Sequence, residues 1–199
     1  MATPRSRRPP RHRCAVLLTP GAGSGRDHPS LVATEEAMRP HGVAVARMDF
    51  PYRKAGRRAP DRLPVLVAAV VEGAAELAAT ADVPPGAIVV GGRSLGGRVC
   101  SVAVSQGLAA RAVVLVSYPL HPPGRPDRLR VEHLPALEVP CLFVSGTRDA
   151  FARPDELQEA VAAIPGPVTH VWIEGGDHGL RRRDAEVADA VRDWVLTVC

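Results

Sequence analysis

Lysine is nearly missing from this sequence: Lys54 is the only one, and Ala55 follows it. A Walker-type phosphate loop needs Gly-Lys-Ser/Thr, so that class of nucleotide binding is excluded. Aromatic residues are also scarce, at 4%. Ala, Val and Leu must therefore build the core, and base stacking on aromatic platforms has little to work with. Paired CxxC cysteines are absent, which removes support for a zinc site. The four cysteines are Cys14, Cys100, Cys141 and Cys199. They read as buried thiols, as in a reducing cytoplasm. No segment reads as a membrane span. Leu63 to Ala81 comes closest, but Glu72 and Glu76 interrupt it, and it reads as a core-packed helix. Arg7-Arg8 is not followed by the apolar stretch an export signal needs, because Cys14 to Thr19 is short and Pro20-Gly21 ends it.

The net charge of +4 is a property of one end of the chain. Residues 1–13, MATPRSRRPPRHR, carry five Arg and no acid. Without those five, 20 basic residues face 21 acidic ones, a net −1. Residues 1–13 are expected to form a disordered, solvated basic tail, and no specific nucleic-acid or membrane partner is implied. Residues 14–199 are expected to form one domain, since 46% apolar content over that length suffices for a core. No oligomeric state is implied.

Short apolar runs alternate with helical segments along this domain. Cys14 to Thr19, Val43 to Met48, Ala87 to Gly91, Ala112 to Ser117, Cys141 to Ser145 and Val168 to Ile173 read as strands. Residues 29–40, 64–81, 96–107, 154–163 and 184–197 read as helices. Residues 50–63 and 119–140 read as irregular loops, the second with a helical turn. This alternation predicts an α/β fold: a six-stranded, mostly parallel sheet with helices on both faces. Ligands of such sheets bind at the carboxyl ends of the strands.

Three chemically capable residues follow strands at that edge. Gly92-Arg93-Ser94-Leu95-Gly96 lies between a strand and a helix, the context of a nucleophile elbow. The competing dinucleotide pattern GxGxxG fails, because Gly21-Ala-Gly23-Ser-Gly25-Arg26 ends in arginine. Asp149 leaves the fifth strand in Ser145-Gly-Thr-Arg-Asp149; alone it would read as a cap of the next helix. His178 leaves the sixth strand in Gly175-Gly-Asp-His178; alone it would read as exposed. Asp177 and Glu174 read as supports or solvated charges. Together the order Ser, Asp, His is that of a nucleophile, a base-orienting acid and a general base. Leu95 N–H, at the helix start, is expected to stabilise an oxyanion, with Ala22 N–H as the second donor because Gly21 and Gly23 let that backbone approach closely.

With these residues in view, the chain resembles the small α/β-hydrolases of the group that includes the testis-expressed protein 30-like proteins and the hydrolase-like domain of a chromatin acetyltransferase subunit. More distantly it is similar to dienelactone hydrolase-like families, whose nucleophile is often Cys. The resembling segments are Thr19-Pro-Gly-Ala-Gly-Ser24, Gly91-Gly-Arg-Ser-Leu-Gly-Gly-Arg98, Tyr118-Pro-Leu-His-Pro-Pro-Gly124, Ser145-Gly-Thr-Arg-Asp149 and Gly175-Gly-Asp-His178. The resemblance implies an α/β-hydrolase fold with Ser94, Asp149 and His178 in the nucleophile, acid and base roles. It implies no cofactor, no metal and no particular substrate beyond a small acyl compound. Many relatives have His-Gly where this chain has Pro20-Gly21. Some relatives serve as scaffolds, so a non-catalytic interaction module is the alternative. Tyr118 and His121 follow the fourth strand and are candidates for lining the pocket, as are Gly21 and Gly23 after the first strand and Arg93 beside the nucleophile. Arg98 reads as structural. Residues 119–140 are too few for a helical cap domain. An open site of this kind suits ester or thioester cleavage.

Overall fold

A computed structural model describes residues 14–122 and 124–199. The basic tail inferred for residues 1–13 lies outside the described residues. The chain forms strands β1 (Ala15–Thr19), β2 (Ala44–Arg47), β3 (Ile88–Arg93), β4 (Ala112–Val116), β5 (Cys141–Gly146) and β6 (Val168–Ile173). Between and after them run helices α1 (Pro29–Met38), α2 (Pro51–Lys54), α3 (Leu63–Ala81), α4 (Leu95–Ser105), α5 (Pro154–Val161) and α6 (Asp184–Val198).

All six strands pair in parallel, in the order β2-β1-β3-β4-β5-β6. The central strands AVLLT, AVVLV and CLFVSG are buried along their whole length, as continuous apolar runs require when both faces are covered. Alternate residues serve the two faces. Leu17, Val90, Leu115 and Phe143 pack with Leu66 and Val70 of α3, Val99 of α4 and Leu157 of α5. Val16, Leu18, Val89, Val114 and Val144 pack with Leu31 and Met38 of α1 and Val187, Val191 and Val195 of α6. The edge strand β2 is only partly covered. By length and apolar composition α3 could cross a membrane. Here Leu66, Val67, Val70, Ala74, Leu77 and Ala78 of that helix are buried in the domain core.

From β1 the chain moves outward to β2, then crosses back to place β3 on the other side of β1. The direction of winding therefore reverses between β1 and β3. A crevice opens at the carboxyl ends of two strands diverging in this way. The loop holding Gly21 and Ala22 leaves β1 at this point, and Ser94 follows β3.

The structure departs from expectation in several places. β3 continues past Gly91 to Arg93, because Gly92 and Arg93 still pair with Leu115 and Val116. Residues 51–54, expected in a loop, form a helical turn started by Pro51 after an extended Phe50. The cysteine reading is corrected in part. Cys14 and Cys199 are joined as a disulfide, with Cα atoms 5.5 Å apart and a sequence separation of 185. Cys14 enters β1 and Cys199 ends α6, and packing of α6 on the sheet brings the two together. Cys100 and Cys141 are buried free thiols, and burial pushes both up to about 12. Both stay protonated and inert at neutral pH.

Candidate active site

Ser94 sits between β3 and α4 with φ 50° and ψ −116°. A non-glycine residue held in such a conformation costs on the order of 1–3 kcal/mol. Neighbouring backbone bonds hold it there. Ser94 N–H donates to Val116 O at 2.8 Å, and Ser94 O accepts from Arg98 N–H at 3.1 Å. The turn also demands close approach to β1. A Cβ on Gly96 would fall 2.6 Å from Pro20 O, and one on Gly92 would fall 2.9 Å from the Thr19 carbonyl carbon and nearer still to its oxygen. The two glycines of GxSxG are thus required by the backbone of Thr19 and Pro20.

His178 and Asp149 complete a continuous hydrogen-bonded chain. Ser94 Oγ lies 2.8 Å from His178 Nε2. His178 Nδ1 lies 2.8 Å from Asp149 Oδ2 and 3.0 Å from Oδ1. A carboxylate only accepts, so Nδ1–H donates to Asp149 and leaves the Nε2 lone pair facing the serine hydroxyl. Asp149 is 1% exposed, and Phe151 N–H donates to its Oδ1 at 2.8 Å. It does not cap α5; Arg153 holds that position. Of the neighbouring acids, Glu174 accepts from Thr147 Oγ1 at 3.3 Å and stays outside this chain of bonds.

The loop after β1 passes alongside the serine. A Cβ on Gly21 would lie 3.6 Å from Ser94 Cβ, in ordinary contact, whereas one on Gly23 meets nothing within 4 Å. Ala22 is exposed, and its carbonyl accepts a hydrogen bond from Tyr52 OH at 2.9 Å. That bond holds the Ala22–Gly23 peptide, while the Gly21 carbonyl, in the peptide that carries Ala22 N–H, accepts from Ser24 N–H at 3.2 Å. Leu95 begins α4, and the first N–H groups of a helix lack intrahelical partners.

The three other pocket candidates are used by the protein itself. Arg93 donates from Nη2 to His178 O at 2.6 Å, and its Nη1 lies 2.8 Å from His28 Nε2. Its guanidinium ties the histidine loop to α1, where His28 is the N-cap, instead of offering itself to an acyl group. Burial lowers the Arg93 pKa, against raising contributions from Asp184, Asp149 and Asp177. Burial and then the Arg93 charge lower that of His28, which stays neutral and accepts from the arginine. Tyr118 is buried with its ring edge on Phe143. It is a wall residue behind the site. His121 is also buried, with Nδ1 2.9 Å from Pro122 O and Nε2 3.6 Å from Glu156 of α5. Its polar atoms are spent on the loop and α5.

Two further residues belong to the site. The ring of Phe151 stacks on His178 with centroids 3.9 Å apart and planes at 20°. Tyr52 positions Ala22 as described. An aromatic two residues after the acid, in a chain with so few aromatics, was the available signal for Phe151. A cavity of about 990 Å³ lies at the opposite, amino-terminal edge of the sheet, lined among others by Cys14, Ala44, Asp82 and Arg111. It is remote from the carboxyl-end residues described above.

Behind α4 a second polar cluster is packed. His133 Nε2 lies 2.8 Å from Ser101 Oγ and 3.4 Å from Tyr118 OH, which donates to Arg130 O at 2.8 Å. Burial, then the Arg98 charge, drives the His133 pKa from 6.5 down to about 4. The unfolded chain then binds this proton at a higher pH than the folded one. The stabilising contribution is complete above about pH 6.5 and is lost as pH falls toward 4. At full strength such a shift is worth roughly 3 kcal/mol, and less for a side chain that solvent partly screens. Thermal melting of wild type should fall steeply over that window, and His133→Gln should flatten the fall. Parallel pH profiles for the two proteins would overturn this account.

A strained serine between strand and helix, hydrogen-bonded to a histidine that a buried aspartate orients, on a reversed parallel sheet, defines the α/β-hydrolase class. The comparisons agree at the level of the family. The chain belongs to the alpha/beta hydrolase domain family, whose model matches residues 12–195. Among solved structures it is similar to Est1E from Butyrivibrio proteoclasticus, with a TM-score of 0.76 and 16% identity over 94% of this chain and 88% of that one. A dienelactone hydrolase from Anabaena variabilis gives a TM-score of 0.72 and 20% identity over 92% of this chain and 86% of that one. An α/β serine hydrolase without lid from Xanthomonas campestris gives 0.68 and 16% over 94% and 85%.

Proposed function

We propose that this protein is a serine hydrolase that cleaves a carboxylic ester, thioester or related acyl bond through an acyl-enzyme. The observation that carries this reading is the unbroken chain from Ser94 Oγ through His178 to Asp149, at 2.8 Å for each link. Ser94 Oγ attacks the substrate carbonyl carbon while its proton passes to His178 Nε2. Asp149 stabilises the resulting imidazolium and keeps its tautomer. The N–H groups of Leu95 and Ala22 receive the oxyanion, each worth about 10²–10³ in rate. The intermediate collapses, and the alcohol or thiol leaves with the proton from His178. Water then repeats the sequence on the acyl-enzyme, releasing the acid and restoring Ser94. No step calls for a cofactor.

The substrate is proposed to be a small acyl compound, since residues 119–140 are too short to seal the site. Within the family, the motifs GGRSLGGR and YPLHPPG support a place with the testis-expressed protein 30-like group. A cytoplasmic setting is also proposed. Of the cysteines, only Cys100 and Cys141 now support it.

Fluorophosphonate labelling tests the reading. Wild-type protein should react stoichiometrically, with the adduct mapped by mass spectrometry to the peptide holding Ser94. The same protein should turn over short 4-nitrophenyl esters. Folded wild-type protein that neither labels nor turns over would sink the hydrolase reading and leave a scaffold.

A further inference from the structure

Arg98 is one turn into α4, and Ser94, Arg98 and Ser101 are spaced to share one stripe of that helix. Helix side chains lean toward the helix N-terminus, which here is Ser94. Arg98 Nε is buried and has no hydrogen-bond partner among the described residues. An unpaired buried donor on a charged group is costly, more so than on a neutral one. Facing this stripe, the loop after β4 is bound to α4 by the Ser101–His133 contact at 2.8 Å. Arg130 lies on the same loop, with its N–H donating to Leu120 O at 2.8 Å and its carbonyl held by Tyr118 OH at 2.8 Å. Neither Arg98 nor Arg130 forms an ion pair among the described residues. Both are only partly exposed.

We propose that Arg98 and Arg130 form an anion-recognition site one helical turn from Ser94, and that the substrate is an ester or thioester bearing a separate negatively charged group. The substrate part of this proposal rests on the serine hydrolase reading. Two guanidinium groups with free donors are suited to a carboxylate or phosphate, which they can grip with paired hydrogen bonds. Among the described residues no acid pairs with either guanidinium. His133 stays neutral at pH 7, and the Arg98 charge, after burial, depresses the Arg130 pKa. Glu132 is exposed. The cluster thus carries unpaired positive charge on the helix that starts at the nucleophile. An anionic substrate group would neutralise that charge and satisfy Arg98 Nε together, whereas a neutral one leaves both costs in place.

The test compares matched esters. One pair puts the anion on the acyl side: 4-nitrophenyl hemiglutarate against 4-nitrophenyl valerate. The other puts it on the alcohol side: 4-carboxyphenyl butyrate against phenyl butyrate. In one pair wild type should favour the anionic ester at least tenfold in kcat/KM. Arg98→Gln and Arg130→Gln should each reduce that ratio to threefold or less, and Arg98→Lys should restore part of it. Arg128→Gln, an equal loss of charge on the same loop, should keep the ratio. No preference in either pair, or an equal fall in Arg128→Gln, overturns the proposal. Calorimetric titration of glutarate into Ser94→Ala protein separates this site from the catalytic reading. Binding that weakens tenfold or more on adding Arg98→Gln supports the anion site even if the wild type fails to label with fluorophosphonate. Absent binding, or binding indifferent to Arg98, refutes it.

Discussion

On the proposed mechanism, Ser94→Ala should lower kcat for 4-nitrophenyl butyrate by about 10⁴–10⁶-fold, His178→Ala should lower it almost as far, and the double variant should be no worse than either. The reason is that the two side chains perform one event. Ser94 Oγ is a poor nucleophile with its proton, and the acceptor placed to take that proton among the described residues is His178 Nε2, 2.8 Å away. Once either partner is gone the other has nothing to act on, so the losses do not multiply. Asp149→Asn is expected to cost about 10⁴-fold for a related but separate reason. The carboxylate accepts from His178 Nδ1 at 2.8 and 3.0 Å. An amide in its place can donate to Nδ1, which moves the ring proton to Nε2. The nitrogen facing Ser94 then carries a proton and cannot accept another. Steady-state kinetics on variants with native circular dichroism checks all three. Losses that multiply in the double variant, or a Ser94→Ala protein that retains turnover, would show that another group attacks the ester.

How far these arrangements are legible in the sequence depends on their range. The β-strands stand out because burial on both faces demands continuous apolar runs, such as Ala15–Thr19 and Ala112–Val116. Ser94, Asp149 and His178 stand out because each follows a strand and parallel strands end at one edge. The contacts that hold those residues lie outside any period or spacing. Arg93 reaches His28 across 65 positions and His178 O across 85. Beside a nucleophile it invites a substrate-binding reading, and only the packing of α1 against α6 shows whose acceptors it meets. Tyr118 and His121 follow β4 at the correct edge. Yet Ser117, just before them, has φ 49°, and the backbone it belongs to carries both side chains into buried positions. The Cys14–Cys199 disulfide joins the two ends of the described domain, so local sequence context says nothing of it. Phe151 was readable as an aromatic near the acid, but its stacking on His178 depends on the turn made by Asp149 accepting from Phe151 N–H.

The second large effect falls on Gly92. Gly92→Ala should lower the melting temperature by about 10 °C or more, or prevent folding, although it adds a single methyl group. Thr19 and Gly92 are register partners in the parallel pairing of β1 and β3. The new Cβ would stand 2.9 Å from the Thr19 carbonyl carbon and closer to both of its oxygens. Thr19 cannot yield easily. It is fully buried, and its Oγ1 donates to Gly91 O at 3.0 Å. Overpacking a core ordinarily costs about 1–3 kcal/mol when side chains can shift. Here the obstacle is backbone in an interior pairing of the sheet, so the cost should reach or exceed the top of that range. At this chain length each kcal/mol moves the midpoint by about 2–4 °C. Gly23→Ala supplies the contrast, since its Cβ meets nothing within 4 Å. It should leave the melting temperature unchanged or raise it slightly, by reducing the freedom of the unfolded chain. Gly92→Ala melting within about 2 °C of wild type would mean that β1 and β3 can separate at that point. The geometry of the elbow would then have to come from the bonds at Ser94 N and O alone.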